Sequence, residues 1–131
     1  MKPRLEKIDH LHVYVKDLQA GITWYKTVFN LELISDKSPF AASGGPTVLG
    51  DEENNIYLAL FEADIAPSSI IAFGATAEQF MQWLNYLRDE LTLELRLADH
   101  KNCWSLYIED PFGNTHEITC DDYHTLAKQL S

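Results

Sequence analysis

Cysteine is scarce in this 131-residue sequence, which has two, Cys103 and Cys120. A fold held together by disulfides needs a framework of paired cysteines, and two residues do not supply one. Alternation along the strand segments near the C-terminus places the two side chains on opposite faces of a hairpin. We therefore expect both cysteines to be reduced thiols with structural roles.

Basic residues are also few, since ten Lys and Arg stand against twenty Asp and Glu, for a formal net charge of -10. This balance excludes nucleic acids and anionic membranes as expected partners and favours a neutral or cationic small-molecule ligand. Long apolar runs and a signal-peptide core are absent, so we expect a cytoplasmic protein. The length and the 46% hydrophobic content predict one globular domain.

The strongest turn signal is Asp-Pro-Phe-Gly-Asn at residues 110–114. It predicts a hairpin between strands at residues 104–108 and 115–119, because Asp, Pro, Gly and Asn each favour a turn position. From periodicity alone, Glu117 is either a solvated strand residue or a ligand. Alternation divides the second strand between two faces, with Thr115, Glu117 and Thr119 on one and His116, Ile118 and Cys120 on the other.

The first half of the chain has the pattern of a β-α-β-β-β module. Residues 7–15 alternate as a strand, Asp17 is placed to cap a helix that ends near Asn30, and residues 37–46 form a loop that we expect to be mobile. Further strands are predicted at residues 31–34, 47–49 and 56–61. On the first strand, alternation places Leu11, Val13 and Val15 on one face and His10, His12 and Tyr14 on the other.

The second half repeats this order. A strand at residues 69–73 precedes a capping box at residues 76–79, a helix that reaches Leu91, and a strand at residues 93–97. Together with the hairpin, these segments give a self-similarity of roughly 60 residues. The prediction is an α+β fold of two βαβββ modules, at residues 5–62 and 68–120 of a single domain, with a short C-terminal helix at residues 121–131.

The chain resembles the vicinal oxygen chelate superfamily of glyoxalases, bleomycin-resistance proteins and extradiol dioxygenases. The resemblance rests on Ile-Asp-His at residues 8–10, Asp-Leu at 17–18, Trp-Tyr at 24–25 and the turn at 110–114 leading to Glu117. In layout it is most similar to the short fosfomycin-resistance thiol transferases. It implies a curled mixed sheet around a cleft, a homodimer, and a divalent metal held by the first and last strands.

The resemblance implies His10 and Glu117 as metal ligands, with Glu117 also catalytic, for Zn, Mn, Fe or Ni. Ile70 and Ala59 occupy the positions where relatives carry further ligands, and neither side chain binds a metal. A catalytic metal usually keeps three protein ligands, so the set is one short. His12 is the nearest substitute, but a neighbouring same-face position on one strand is a poor replacement for a ligand from another strand.

The terminal helix has Leu126 where fosfomycin transferases carry an arginine, so fosfomycin is not the expected substrate.

A second group of residues is predicted to bind the substrate. The polar residues on the inward face are either the wet face of a half-buried sheet or the lining of a pocket for a small organic molecule. The pocket interpretation assigns substrate binding to His12, Tyr14, Tyr57, Ser105 and Tyr107.

Two functions from different classes follow. The first is a metal-dependent lyase, isomerase, transferase or dioxygenase that acts on a small oxygen-rich molecule, in which the metal serves as a Lewis acid. The alternative is a metal-free protein that sequesters an aromatic or cationic compound, as antibiotic-resistance binding proteins do. The metal content of the purified protein distinguishes the two.

Overall fold

A computed structural model describes residues 2–38, 46–65 and 68–130 and divides the chain into two compact units, Met1–Pro67 and Ser68–Ser131. Residues 39–45 of the loop that we expect to be mobile lie outside the described residues. None of the described helices is long and apolar enough to cross a membrane.

The first unit is a four-stranded mixed sheet with one long helix. The Asp17 carboxylate accepts a hydrogen bond from the backbone N–H of Ala20 at 3.0 Å, which caps the helix. The strand order is β1-β4-β3-β2, with β1 parallel to β4 and the other pairs antiparallel. The elements are β1 (Leu11–Val15), α1 (Leu18–Phe29), β2 (Glu32–Leu33), a 3-10 turn (Ser35–Lys37), β3 (Thr47–Gly50) and β4 (Tyr57–Glu62).

The second unit repeats this arrangement, which confirms the α+β class and the repeated β-α-β-β-β order. Both hydrogen bonds of the predicted capping box, between Thr76 and Gln79, are present. The strand order is β5-β8-β7-β6, with β5 parallel to β8. The elements are β5 (Ile70–Gly74), α2 (Ala77–Asn85), a π-helical turn (Tyr86–Glu90), β6 (Arg96–Asp99), β7 (Trp104–Glu109), β8 (Thr115–Cys120) and α3 (Tyr123–Leu130).

The predicted strand at residues 93–97 is wrong for its first three residues, because β6 begins at Arg96. Thr92 adopts a left-handed conformation with φ 52°, and the N–H of Leu93 donates to the carbonyl of Leu87 at 2.9 Å. These interactions hold residues after the helix in a C-terminal cap, so strand pairing starts later. The first strand is also shorter than predicted, and His10 lies directly before β1 rather than within it.

The cores lie between each sheet and its helix, since α1 packs against β3 and β4, and α2 packs against β8. Along β8, burial alternates as the pattern predicts, with Glu117 half-buried and its neighbours His116 and Ile118 buried. Both cysteines are free thiols. The fully buried side chains include Val13, Tyr25, Leu49, Leu58 and Leu60 in the first unit, and Phe80, Leu84, Leu87, Leu106 and Leu126 in the second.

The predicted hairpin turn is organised by the buried carboxylate of Asp110. Its Oδ1 accepts the backbone N–H groups of Phe112 at 2.8 Å and Asn114 at 2.9 Å, and its Oδ2 accepts the side-chain amide of Asn114 at 2.8 Å. Gly113 takes the positive φ of 91° that the turn requires. The turn fixes the register in which Tyr107 lies opposite Glu117.

We expect Asp110→Ala to lower the free energy of unfolding by about 3 kcal/mol, because buried donors lose a charged acceptor. Urea denaturation followed by circular dichroism measures the change. Glu52→Ala, which removes an exposed carboxylate from another turn, is the matched control and should have little effect. Equal midpoints for the two variants would contradict the assignment.

The fully buried imidazole of His116 makes the stability of the fold depend on pH. Burial lowers the pKa of His116 from 6.5 to about 4, and the nearby Asp110 carboxylate opposes part of this shift. Between these values the unfolded chain binds more protons than the folded chain. The free energy of unfolding is therefore unaffected by this group above pH 6.5, and it decreases as the pH falls from 6.5 toward 4.

We predict that the wild type loses up to about 3 kcal/mol of stability through this group between pH 6.5 and 4. His116→Gln should flatten the pH dependence in this window, whatever its effect on stability at pH 7. Thermal or urea unfolding at several pH values measures it, with His124→Gln, at an exposed position, as control. A wild-type slope that persists in His116→Gln would refute the prediction.

Candidate functional site

The first unit gathers imidazole and aromatic side chains on one face of its sheet. In the parallel pairing of β1 with β4, His12 lies opposite Ala59 and Tyr14 opposite Phe61. The ring of Phe61 lies 4.6 Å from that of His12 and 5.5 Å from that of Tyr14, measured between centroids. Two of the predicted substrate-binding residues thus share one aromatic neighbour.

His10 and His12 lie together, as the alternation predicts, and their geometry is closer than a shared face requires. The two Nε2 atoms are 3.1 Å apart, and the rings stack with centroids 5.0 Å apart and planes 22° from parallel. Both residues are exposed. Two nitrogen atoms at this distance share either a proton or a cation.

Asp9 orients the imidazole of His10. Its Oδ2 lies 2.8 Å from Nδ1 of His10, and this hydrogen bond, supported by the charge of Lys37, lowers the pKa of the Asp9 carboxyl below its usual 3.8. A carboxylate only accepts hydrogen bonds, so Nδ1 carries the proton. In the neutral ring, the lone pair of His10 is then on Nε2, the atom that faces His12.

His10 and Asp9 line a cavity of about 390 Å³ within the first unit. This volume is in the range of small-molecule sites, and its walls combine apolar with charged groups. Tyr57 is not part of this wall; its ring contacts the ammonium of Lys37 at 4.7 Å. Among the residues that the structure describes, its lining also includes Asp36, Lys37, Pro46, Val48, Ala59 and Phe61.

The second unit places the predicted acid Glu117 beside two of the predicted substrate-binding residues. The hydroxyl of Ser105 donates to Oε2 of Glu117 at 2.7 Å, and Ser105 is fully buried. Tyr107 lies directly opposite Glu117 across the β7–β8 pair. Ser105 therefore orients the carboxylate, while its contact with a substrate stays a prediction.

Tyr107 is held on two sides. Its hydroxyl lies 3.0 Å from Nε2 of His100, and the guanidinium carbon of Arg96 lies 4.2 Å above its ring. Tyr107 and Arg96 also line a second cavity, of about 640 Å³, within this unit. His100 and Arg96 are contacts that sequence reasoning missed, since neither belongs to a recognisable motif.

The structure brings His10 and His12 together in one unit, and Ser105, Tyr107 and Glu117 in the other. Within each unit, the described residues contain no group of three or more His, Cys, Asp or Glu side chains placed to hold a metal. The joint ligation of a metal by His10 and Glu117 stays a prediction. Sequence reasoning also missed the role of Asp9, whose signal is a carboxylate directly before a histidine.

A sequence model of the Glyoxalase/Bleomycin resistance protein/Dioxygenase superfamily matches residues 7–118. The chain belongs to this superfamily. Metallothiol transferase FosB of Staphylococcus epidermidis is 27% identical over 119 residues, covering 87% of this chain and 81% of that protein. FosB of Lysinibacillus sphaericus is 30% identical over 123 residues, covering 87% and 82%.

The fold of this superfamily member is also similar to solved structures. The crystal structure of lactoylglutathione lyase from Agrobacterium tumefaciens has a TM-score of 0.72 and 24% identity, and the match covers 91% of this chain and 96% of that one. At this identity the likeness shows the fold alone. The superfamily recognised from residues 8–10 and 110–117 is thus confirmed, together with its fold.

We predict that His10→Ala raises the pKa of the Asp9 carboxyl toward its ordinary value, because the largest stabilisation of the Asp9 carboxylate comes from the His10 hydrogen bond. A carboxyl-carbon NMR titration measures the change. Asp99, whose pKa is lowered mainly by the backbone N–H of Lys101, is the internal control and should not move. An unchanged Asp9 would show that the hydrogen bond does not form in solution.

Proposed function

We propose that this superfamily member is a divalent-metal-dependent enzyme that acts on a small oxygen-rich molecule. The observation that carries the proposal is the hydrogen bond from Nδ1 of His10 to Asp9 at the wall of a cavity of about 390 Å³. Metal-ligating histidines usually donate their second ring N–H to a carboxylate in this way, which fixes the tautomer and increases the basicity of the ligating nitrogen.

The donor chemistry of these residues fits such an ion. An imidazole nitrogen and a carboxylate suit zinc, manganese, iron and nickel. We assign His10 and Glu117 as ligands, and Ser105 as the residue that orients the Glu117 carboxylate by its hydrogen bond. A divalent ion held there would polarise a substrate oxygen as a Lewis acid.

Glu117 is also the proposed catalytic residue, because a carboxylate beside a polarised substrate can accept or return a proton. In our proposal the polar-aromatic side chains orient the substrate by hydrogen bonding and stacking. Tyr14 and His12 supply these contacts from the first unit, and Tyr107 supplies them from the second. Tyr57 keeps the predicted binding role, although its ring is engaged by Lys37.

The relatives limit the choice of reaction without deciding it. The name metallothiol transferase refers to a metal and to thiol transfer. A divalent metal is the cofactor that we expect for this chain, and a transferase is one of the reaction classes that we expect. Leu126, at the place of the arginine expected in fosfomycin transferases, is fully buried in α3. We therefore propose a substrate other than fosfomycin. We also propose a homodimer as the functional state, because the resemblance to the superfamily implies one.

Metal analysis of the protein purified without chelators or affinity tags tests the proposal. We expect a divalent metal in the wild type and its loss in His10→Ala and in Glu117→Gln, because a site short of ligands has none to spare. His124→Ala, which removes an exposed imidazole from α3, is the matched control and should retain the metal.

A wild type that takes up no divalent metal, but binds aromatic or cationic compounds, would overturn the enzyme proposal. The chain would then be the metal-free binding protein that the sequence leaves as its alternative.

A further inference from the structure

We propose that His12 supplies the missing metal ligand, so that His10 and His12 chelate one divalent ion through their Nε2 atoms from a single stretch of chain. This inference rests on the proposed metal site and names a ligand within it. It also replaces the expectation that neighbouring same-face positions make a poor pair of ligands, and it assigns the imidazole of His12 to the metal rather than to the substrate.

The distance between the two nitrogens supports the chelate. Zinc–imidazole bonds are about 2.0–2.1 Å long, so two nitrogens that subtend a right or tetrahedral angle at one ion are about 2.9–3.4 Å apart. The observed separation of 3.1 Å lies within this range. At this separation of the nitrogens, the ring centroids are 5.0 Å apart and the ring planes are 22° from parallel.

The proton inventory also fits. Asp9 holds the proton of His10 on Nδ1, so the Nε2 atoms of the pair have one proton between them when no metal is bound, and His12 donates it. For a metal to bind, neutral His12 changes tautomer, so that its proton is on Nδ1 instead of Nε2. The imidazole stays neutral, and no proton is released. His10 keeps its tautomer, because Asp9 has already selected the ligating form.

The surroundings of His12 favour a fixed ligand. Its ring packs against Phe61 at 4.6 Å, which restricts its rotamers, and its partner across the strand pair is the small residue Ala59. The corresponding row of the second unit pairs Ala72 with Glu117, and Ile70, two positions earlier, is exposed and apolar. Position 70 thus provides no imidazole, whereas a second imidazole, that of His12, lies beside His10.

Two measurements test the chelate. Pulsed EPR of the Cu²⁺-loaded wild type counts coordinated imidazoles, and we expect two, falling to one in His12→Ala. Competition with a chromophoric chelator gives the Zn²⁺ affinity, which we expect to fall at least about 100-fold in His12→Ala, since even outer-shell losses cost 10–100-fold. His124→Ala is the matched control and should bind Zn²⁺ as the wild type does.

Nitrogen NMR of the imidazoles gives a result that needs no variant. Zn²⁺ should convert His12 from the Nε2–H to the Nδ1–H tautomer and leave His10 in the Nδ1–H form.

A wild type that binds metal through one imidazole, with unchanged affinity in His12→Ala, would overturn the chelate and leave the proposed function standing. A wild type that binds none of Zn²⁺, Cu²⁺, Mn²⁺, Fe²⁺ and Ni²⁺ would overturn both.

Discussion

In each unit a helix covers one face of a four-stranded sheet, and this constraint decides on which face the candidate residues within the strands lie. Because successive side chains on a strand alternate between faces, the residues that pack under α1 or α2 leave their neighbours on the opposite face. Val13 is fully buried, for example, while His12 beside it is exposed. Core packing thus decides the face on which a candidate ligand such as His12 lies.

The turn at Asp110 sets the β7–β8 register and thereby the face on which Glu117 lies. A slip of one residue in the β7–β8 register would move Glu117 to the core and His116 to the opposite face. Three hydrogen bonds to one buried carboxylate oppose such a slip. The same register places Tyr107 opposite Glu117, while the hydroxyl of Ser105 reaches the Glu117 carboxylate.

The two units repeat one architecture but carry different chemistry at corresponding rows. The first unit has His12 opposite Ala59, and the second has Ala72 opposite Glu117. Helix α1 ends at Asn30, which has a positive φ of 58°, and the π-helical turn after α2 is followed by Leu91 and then by Thr92, which has a positive φ of 52°. The two units therefore share a strand order and a pairing pattern, while the side chains at corresponding rows differ.

The amino-acid sequence by itself determined the module order, the N-terminal caps of α1 and α2, the faces of β1 and β8, and the superfamily, because these depend on neighbouring residues and on short motifs. The sequence did not predict the late start of β6, because the hydrogen bond from the N–H of Leu93 to the carbonyl of Leu87 depends on how the helix ends. Tertiary structure alone decided the 3.1 Å approach of His10 to His12 and the buried hydrogen bond from Ser105 to Glu117. Alternation assigns a side chain to a face, but ring orientation and bond length depend on packing against residues distant in sequence, such as Phe61 against His12.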